Sequence, residues 1–109
     1  MRLKLLGFCI LMLSAVGCKV EKRIEATLAL TGDPANGESV YFNLCTECHG
    51  IDLNGTPTGP SLLILVPLNE DDEIIRQVIE GGGDMPPYGE KAVDQEIADV
   101  LSFVRQEAP

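Results

Sequence analysis

The sequence is poor in aromatic residues and in positive charge. Its 109 residues include no tryptophan, two tyrosines and three phenylalanines, so the chain supplies few of the large side chains that dominate the cores of small domains. Eight Lys and Arg stand against 17 Asp and Glu, a formal net charge of −9. This acidity argues against nucleic acid and anionic membrane surfaces as partners, because both are negatively charged. It is equally explained by solubility alone.

Cysteine and histidine are also few, but one short motif concentrates them. Residues 45–49 read Cys-Thr-Glu-Cys-His, and His49 is the only histidine of the chain. Cys-x-x-Cys-His is the pattern by which haem is attached covalently. The two thiols reach the two vinyl-derived carbons at one haem edge, and the neighbouring imidazole meets the iron from one face. The motif predicts one haem c, with Cys45 and Cys48 as thioether sites and His49 as an iron ligand.

Chance, zinc binding and thiol redox chemistry each account for this motif less well than haem does. A chance match in a chain of this length is an event of about one in a thousand, because both residue types are rare. A structural zinc site needs four ligands, and the only further cysteines are Cys9 and Cys18. A thioredoxin-like Cys-x-x-Cys needs strands alternating with helices, which this sequence does not predict.

Residues 1–18 have the pattern of an export signal. Arg2 and Lys4 precede an uncharged apolar run from Leu5 to Gly17, which is shorter than the roughly 20 residues of a membrane span. The end of this run, Ser-Ala-Val-Gly-Cys at 14–18, resembles the lipobox of bacterial lipoproteins. That resemblance implies that the signal is removed before Cys18 and that Cys18 carries a thioether-linked lipid. An ordinary cleavage site of small residues is the alternative, and it would leave a soluble periplasmic protein.

Residues 19–32 are predicted to be a tether, and residues 33–109 one small domain. The tether prediction rests on mixed charge without clear caps or a long apolar stripe. Fully extended, this segment would span at most roughly 50 Å. A domain of this size has a marginal protein core, so we expect the haem to complete it.

Three helices are expected in the domain. Asp33 and Pro34 are typical of a helix start, and this helix would carry the cysteines at its C-terminal end and stop at Gly50. Gly37 within it suggests close approach by another helix, with Phe103 beside it; a tolerated surface glycine is the alternative. The other two helices are expected to be capped by Asn69 and Asp94, and the apolar run 62–66 to form a pocket wall. Their buried stripes would be Ile74, Ile75, Val78 and Ile79, and Ile97, Val100, Leu101 and Val104, with Asp99 and Arg105 outside.

A single methionine, Met85, lies outside the predicted signal segment. It follows three glycines and precedes Pro86-Pro87-Tyr88, a stiff stretch because both prolines fix φ. A lone methionine ordinarily fills a core. One held on a rigid loop 36 residues after His49 is more typical of an iron ligand. The sequence therefore predicts low-spin haem iron with His49 and Met85 as axial ligands.

Residues 33–107 resemble a class I cytochrome c of the short bacterial type. The resemblance implies an all-α cytochrome c fold, in which three main helices and loops surround one covalent haem. It agrees with the two thioether sites and the two axial ligands predicted above. It also adds Pro60, because Gly-Pro-Ser-Leu at 59–62 is similar to the family's Gly-Pro-x-Leu. There the proline carbonyl accepts a hydrogen bond from the haem histidine and orients it.

This combination favours one-electron transfer, since an iron with both axial positions filled has no open site for a substrate. The expected partners are redox proteins of a respiratory chain: a quinol-oxidising complex or dehydrogenase as donor, and an oxidase or reductase as acceptor. The expected location is the periplasmic side of a bacterial membrane. Two alternatives stay open. One is a haem subunit bound permanently in a larger oxidoreductase; the other is a haem enzyme or gas sensor from which Met85 dissociates, with Glu47 and Tyr88 as polar groups.

Overall fold

Helices make up the regular structure of the chain in the computed structural model, which describes residues 15–109. Within this range there are six helices and two isolated bridges. The helices are α1 (Ala15–Leu28), α2 (Pro34–Leu44), α3 (Thr46–His49), α4 (Leu62–Leu68), α5 (Asp71–Glu80) and α6 (Asp94–Glu107). The predicted all-α fold is confirmed. α2, α5 and α6 are the three helices that the sequence predicts, and α1 is a further helix of comparable length.

α2 begins where the sequence predicts. The Asp33 carboxylate accepts a hydrogen bond from the Ala35 N–H at 3.0 Å, and Pro34 occupies the first helical position. Cys45 ends α2 in a distorted turn, and α3 follows at once. Gly50 then ends α3 with φ 89°, a conformation that L side chains rarely adopt. The end of α2 at Cys45 and the end of α3 at Gly50 therefore fix both ends of the Cys-x-x-Cys-His motif.

α2 and α6 cross at Gly37 and form the centre of the larger core cluster. A Cβ atom at Gly37 would collide with the backbone carbonyl of Asp99, so only glycine permits this approach. Next to the crossing, the rings of Tyr41 and Phe103 lie 5.5 Å apart between centroids. The predicted close approach at Gly37 and the predicted position of Phe103 are both confirmed.

Two predicted helix starts are wrong by one residue. Asn69 ends α4, where its side-chain amide donates to the Leu65 carbonyl at 2.8 Å. The residue before α5 is Glu70, whose N–H donates to the Glu73 carboxylate at 2.7 Å. Asp94 is likewise the first residue of α6 and not its cap. In both helices the carboxylate of a glutamate three residues after the cap accepts a hydrogen bond from the backbone N–H of the cap residue. This bond fixes the helix start one residue away from the predicted position.

Asp99 was predicted to lie on the outside of the last helix, and this prediction is wrong. The side chain is 3% exposed. Its Oδ1 accepts from the Asp33 N–H at 2.8 Å and from Gln95 Nε2 at 2.9 Å, and its Oδ2 accepts from Asn36 Nδ2 at 2.7 Å. Because these donors replace water, the carboxylate can be buried beside the start of α2.

The predicted tether at 19–32 is also wrong, because most of it is helical and packed on the domain. Within α1, Val20 and Ile24 are buried in a cluster with Ile75, Ile79, Ala92 and Ile97. Arg23, on the same helix, forms an ion pair with Asp94 at 2.8 Å. Val20, Ile24 and Thr27 recur at helical spacing, so a narrow buried stripe is present despite the mixed charge of the segment.

The predicted signal segment, residues 1–18, lies mostly outside the described residues, and the domain boundaries at 18 and 33 stay predictions. Among residues 15–109, none of the helices has both the length and the apolar character that crossing a membrane requires.

Candidate haem site

A cavity of about 440 Å³ lies between the helices of the domain. α2, α3, α4, α5 and α6 all contribute to its wall, as do the loops at 58–60 and 82–88. The five side chains or backbone groups predicted for the haem domain all line it: Cys45, Cys48, His49, Pro60 and Met85. Residues that are far apart in the sequence are thus brought to one place by the fold.

Cys45 and Cys48 lie at the wall of this cavity, and neither forms a disulfide. Cys45 is fixed by its backbone, since its N–H donates to the Tyr41 carbonyl at 2.8 Å and its carbonyl accepts from the His49 N–H at 2.9 Å. Burial, with a smaller contribution from Cys48, raises the pKa of the Cys45 thiol to about 11. Before haem attachment this thiol is therefore mostly protonated at neutral pH.

The His49 ring is buried and held by one backbone carbonyl. Its Nδ1 lies 2.9 Å from the Pro60 oxygen, and because a carbonyl can only accept, Nδ1 carries the proton. The other ring nitrogen, Nε2, then has its lone pair available for a metal ion. The hydrogen bond implied by the resemblance is present, and the role of Pro60 toward a haem stays a prediction.

The loop after the motif packs directly on it. Thr56 Oγ1 donates to the Cys48 carbonyl at 2.7 Å, and a Cβ at Gly59 would collide with the same carbonyl group. The Gly55 N–H donates to the His49 carbonyl at 2.7 Å. These contacts fix the loop, and through it they place the Pro60 carbonyl beside Nδ1 of the His49 imidazole.

Tyr41 supports the end of the motif through the backbone of Gly50, a role that the sequence did not predict. Its side chain is fully buried, and its hydroxyl donates to the Gly50 carbonyl at 2.6 Å. Burial, and to a lesser extent the nearby Cys45 and Asp52, raises its pKa to about 12. One signal was available, because Tyr41 lies four residues before Cys45 and hence on the same helix face.

Met85 lies on a tight loop that α5 supports. Gly82 and Met85 exchange two backbone hydrogen bonds, at 2.9 and 3.0 Å. A Cβ at Gly81, where φ is 70°, would collide with the Met85 carbonyl, so this turn also requires glycine. Gln77 Nε2 lies 3.6 Å from the Met85 sulfur. The methionine is partly buried and borders the cavity.

Tyr88 joins the methionine loop to the end of α2. Its N–H donates to the Val78 carbonyl at 2.9 Å, and its hydroxyl donates to the Leu44 carbonyl at 3.0 Å. Burial raises the pKa of Tyr88. The hydroxyl is thus committed to the backbone, and Glu47 is absent from the cavity wall. Tyr88 lines the cavity, but its hydroxyl is already bonded to a backbone carbonyl, so neither residue offers the cavity the free polar group that the sensor alternative expects.

The residues of the cavity fit a haem. The donor set combines two thiols, one imidazole nitrogen with a fixed tautomer and one thioether sulfur, which are the groups that attach and ligate haem c. The remaining wall is mainly apolar, with side chains such as Leu62, Val66, Ile74, Val100 and Leu101. Among residues 15–109, no group of three or more His, Cys, Asp and Glu side chains is arranged to hold a metal ion. A zinc site built from the motif has no further ligands there.

Comparison with known proteins places this site in a family. The sequence model described as "Cytochrome C oxidase, cbb3-type, subunit III" matches residues 32–104. The chain belongs to the small class I c-type cytochromes. Cytochrome c6 of Diacronema lutheri is 38% identical over 82 residues, which cover 71% of this chain and 99% of that protein. A cytochrome c-553-like protein of Synechocystis is 34% identical over 82 residues (75% and 76%), and cytochrome c6 of Parathermosynechococcus lividus is 32% identical over 80 residues (70% and 92%).

Membership of this family confirms three of the predictions. The cytochrome fold is correct, the cofactor is one covalently attached haem c, and the protein is an electron carrier and not an enzyme. Its partners are accordingly redox proteins. Axial ligation, the identity of these partners and the attachment to a membrane belong to the proposals that follow.

Proposed function

We propose that this cytochrome transfers single electrons through a haem whose axial ligands are His49 and Met85. One observation supports this above the others: the only histidine of the chain and the only methionine of residues 15–109 line one cavity together with the two motif thiols. Such a coincidence is not expected of a methionine that merely fills a core. Cys45 and Cys48 provide the thioether bonds in this proposal.

The chain's own residues prepare this site for electron transfer. Pro60 keeps the His49 proton on Nδ1 and so keeps Nε2 basic. Met85 supplies a soft sulfur, which favours ferrous iron and raises the reduction potential relative to two histidine ligands. The prolines after Met85 and the packed loop before Pro60 limit movement between oxidation states. Bound haem c supplies the redox chemistry itself.

Replacement of Met85 by alanine tests the axial ligation. The ferric wild-type protein is expected to show the weak charge-transfer band that is diagnostic of methionine ligation. Met85→Ala should abolish it, because Met85 is the only methionine of residues 15–109. Leu101→Ala is the matched control, since it removes apolar wall without removing a ligand atom. Absorption spectra of the three ferric proteins provide the measurement. A wild-type spectrum that is already high-spin contradicts the proposal.

A permanently bound haem subunit is the second candidate. The name of the matching family model refers to a subunit of a cbb3-type oxidase, and α4 leaves Ile64 and Leu68 exposed at 62% and 74%, as an interface would. Purification of the native protein in detergent separates the candidates. A stoichiometric complex that survives purification favours the subunit, and a monohaem protein that elutes alone favours the free carrier.

For the location we propose the periplasmic side of a bacterial membrane, with Cys18 as the lipid-bearing N-terminus. The respiratory donors and acceptors named above are the partners proposed for it. Support comes from the signal pattern and the lipobox resemblance of residues 1–18. In the structure Cys18 is disulfide-bonded, and lipidation needs the same sulfur, so the two states exclude each other.

The mass of the mature N-terminal peptide distinguishes the two states of Cys18. A peptide that begins at Cys18 and carries a diacylglyceryl group is the expected result. An unmodified peptide, or one linked by a disulfide, would refute the lipid anchor while leaving the haem site untouched. A Cys18→Ser variant is the control, since it should be released from membranes.

A further inference from the structure

The N-terminal helix α1 reaches the haem domain through one arginine as well as through its apolar face. Arg23 is 29% exposed, and its guanidinium group makes three contacts. Nε donates to the Asp94 carboxylate at 2.8 Å, Nη2 donates to the Ala92 carbonyl at 2.9 Å, and Nη1 donates to the Gly89 carbonyl. Charge-assisted bonds of this kind in a partly buried setting hold geometry better than an exposed ion pair.

The two carbonyls that Arg23 binds belong to the turn that follows Met85. In this turn, which we define as residues 88–92, the Tyr88 carbonyl accepts from the N–H groups of Lys91 and Ala92, both at 3.0 Å. The Gly89 N–H donates to the Ile79 carbonyl of α5 at 3.1 Å. Arg23 therefore binds two further carbonyls of the turn, and no other side chain of residues 15–109 donates to residues 88–92.

Only two residues separate this turn from Met85, and both are prolines. Since Pro86 and Pro87 have fixed φ angles, they absorb little of any displacement of Tyr88 or Gly89. A movement of the turn is consequently passed on to the methionine. The Gly82–Met85 backbone bonds hold the other side of the loop, and the bonds of Tyr88 to Val78 and Leu44 hold its near side. The position of Met85 thus depends on these supports together with Arg23.

We propose that Arg23 is a positioning residue for Met85: from α1 it fixes the turn 88–92 and thereby the methionine loop. This inference rests on the proposed role of Met85 as an iron ligand. The family model matches from residue 32 onward, so α1 lies outside the part of the chain that this model describes. The positioning role thus makes the part of α1 around Arg23 a support of the redox site.

Arg23→Ala tests this role, with Arg76→Ala as the matched control. Arg76, on α5, pairs with Glu21 of α1 and with Glu80, so each variant removes one ion pair that joins α1 to the domain. Only the first removes contacts to the turn. Amide hydrogen exchange of Tyr88, Gly89, Lys91 and Ala92 is measured by NMR in the reduced holoprotein. We expect about a tenfold increase in Arg23→Ala from the loss of charge-assisted bonds, and no comparable change in Arg76→Ala.

The methionine charge-transfer band gives the second measurement. On heating, the band should vanish before the far-ultraviolet helix signal in ferric Arg23→Ala, whereas the two losses should coincide in the wild type and in Arg76→Ala. Equal exchange rates in the two variants would overturn the inference. If the wild type shows no band, the axial ligation fails, and the exchange rates still decide whether Arg23 holds the turn.

Arg23→Lys covers the case in which Arg23→Ala does not fold. Lysine keeps the positive charge but lacks the planar fork that reaches several acceptors at once. Exchange in the turn should then rise by a smaller factor, about threefold. A lysine variant with wild-type exchange and a wild-type band would also overturn the proposed role of the guanidinium group.

Discussion

At the scale of single residues, buried polar groups fix the backbone around the site. Asp99 joins α6 to the start of α2 through two donors, Asp33 and Asn36, and accepts a third hydrogen bond from Gln95 of its own helix. Tyr41 joins α2 to the end of the haem motif through Gly50. Burial by itself would raise the pKa of Asp99, but the hydrogen bonds from Asp33, Gln95 and Asn36 outweigh it and lower the pKa. Asp99 is therefore charged at neutral pH although it is buried.

The lowered pKa of Asp99 predicts a stability that depends on pH. A carboxyl whose pKa is lower in the folded state than in the unfolded state stabilises the fold at pH values above its ordinary pKa of 3.8. This stabilisation is lost as the pH falls through the folded-state pKa. Asp99→Asn should lower the free energy of unfolding at neutral pH by about 1–3 kcal/mol. The new side-chain NH2 group would face the N–H donors that now bind the carboxylate. The difference should shrink below about pH 4.

Urea unfolding of the holoprotein at neutral and acidic pH measures this difference. Asp84→Asn is a suitable control, since Asp84 is exposed. A loss of stability in Asp99→Asn that is the same at both pH values would contradict the account given for this carboxylate.

At the scale of elements, the α2–α6 crossing places the haem motif. α2 carries Cys45 at its end, and α6 supplies Val100, Leu101 and Val104 to the same cavity, so the distance between these helices sets the width of the site. Gly37 sets that distance, because any Cβ there meets the backbone of α6 and not the flexible end of a side chain. Helix packing and cofactor space are thus controlled at one position.

Gly37→Ala should destabilise the protein although alanine favours helix. The propensity gain is about 1 kcal/mol, but separating two packed helices costs more, so we expect a net loss of about 2 kcal/mol. Thermal unfolding of the holoprotein measures it. Ser39→Ala, at an exposed position of the same helix, should be neutral or mildly stabilising. A Gly37→Ala protein as stable as Ser39→Ala would disprove the close contact.

At the scale of the whole molecule, the sequence predicts the cofactor chemistry better than the packing. The motif at 45–49 and the helix start at Asp33 depend on local chemistry, and local chemistry is legible in sequence. Asp99 and α1 were misjudged because their environment is made by distant segments: Asp99 meets donors from α2, and Arg23 meets carbonyls of a turn more than 60 residues away. Every residue has a backbone carbonyl, so the residue type does not reveal which carbonyls will accept a hydrogen bond from a distant side chain.

The docking of α1 changes what an anchor at Cys18 would do. With Val20 and Ile24 already packed on the domain, only Cys18 and Lys19 lie between the proposed lipid and the first buried residue. An extended segment of 14 residues would let the haem sweep a volume of roughly 50 Å radius, whereas this arrangement confines it to a thin layer above the bilayer. Encounters with partners would then become a search by lateral diffusion in a plane, so a suitable partner must present its own redox centre at the same height.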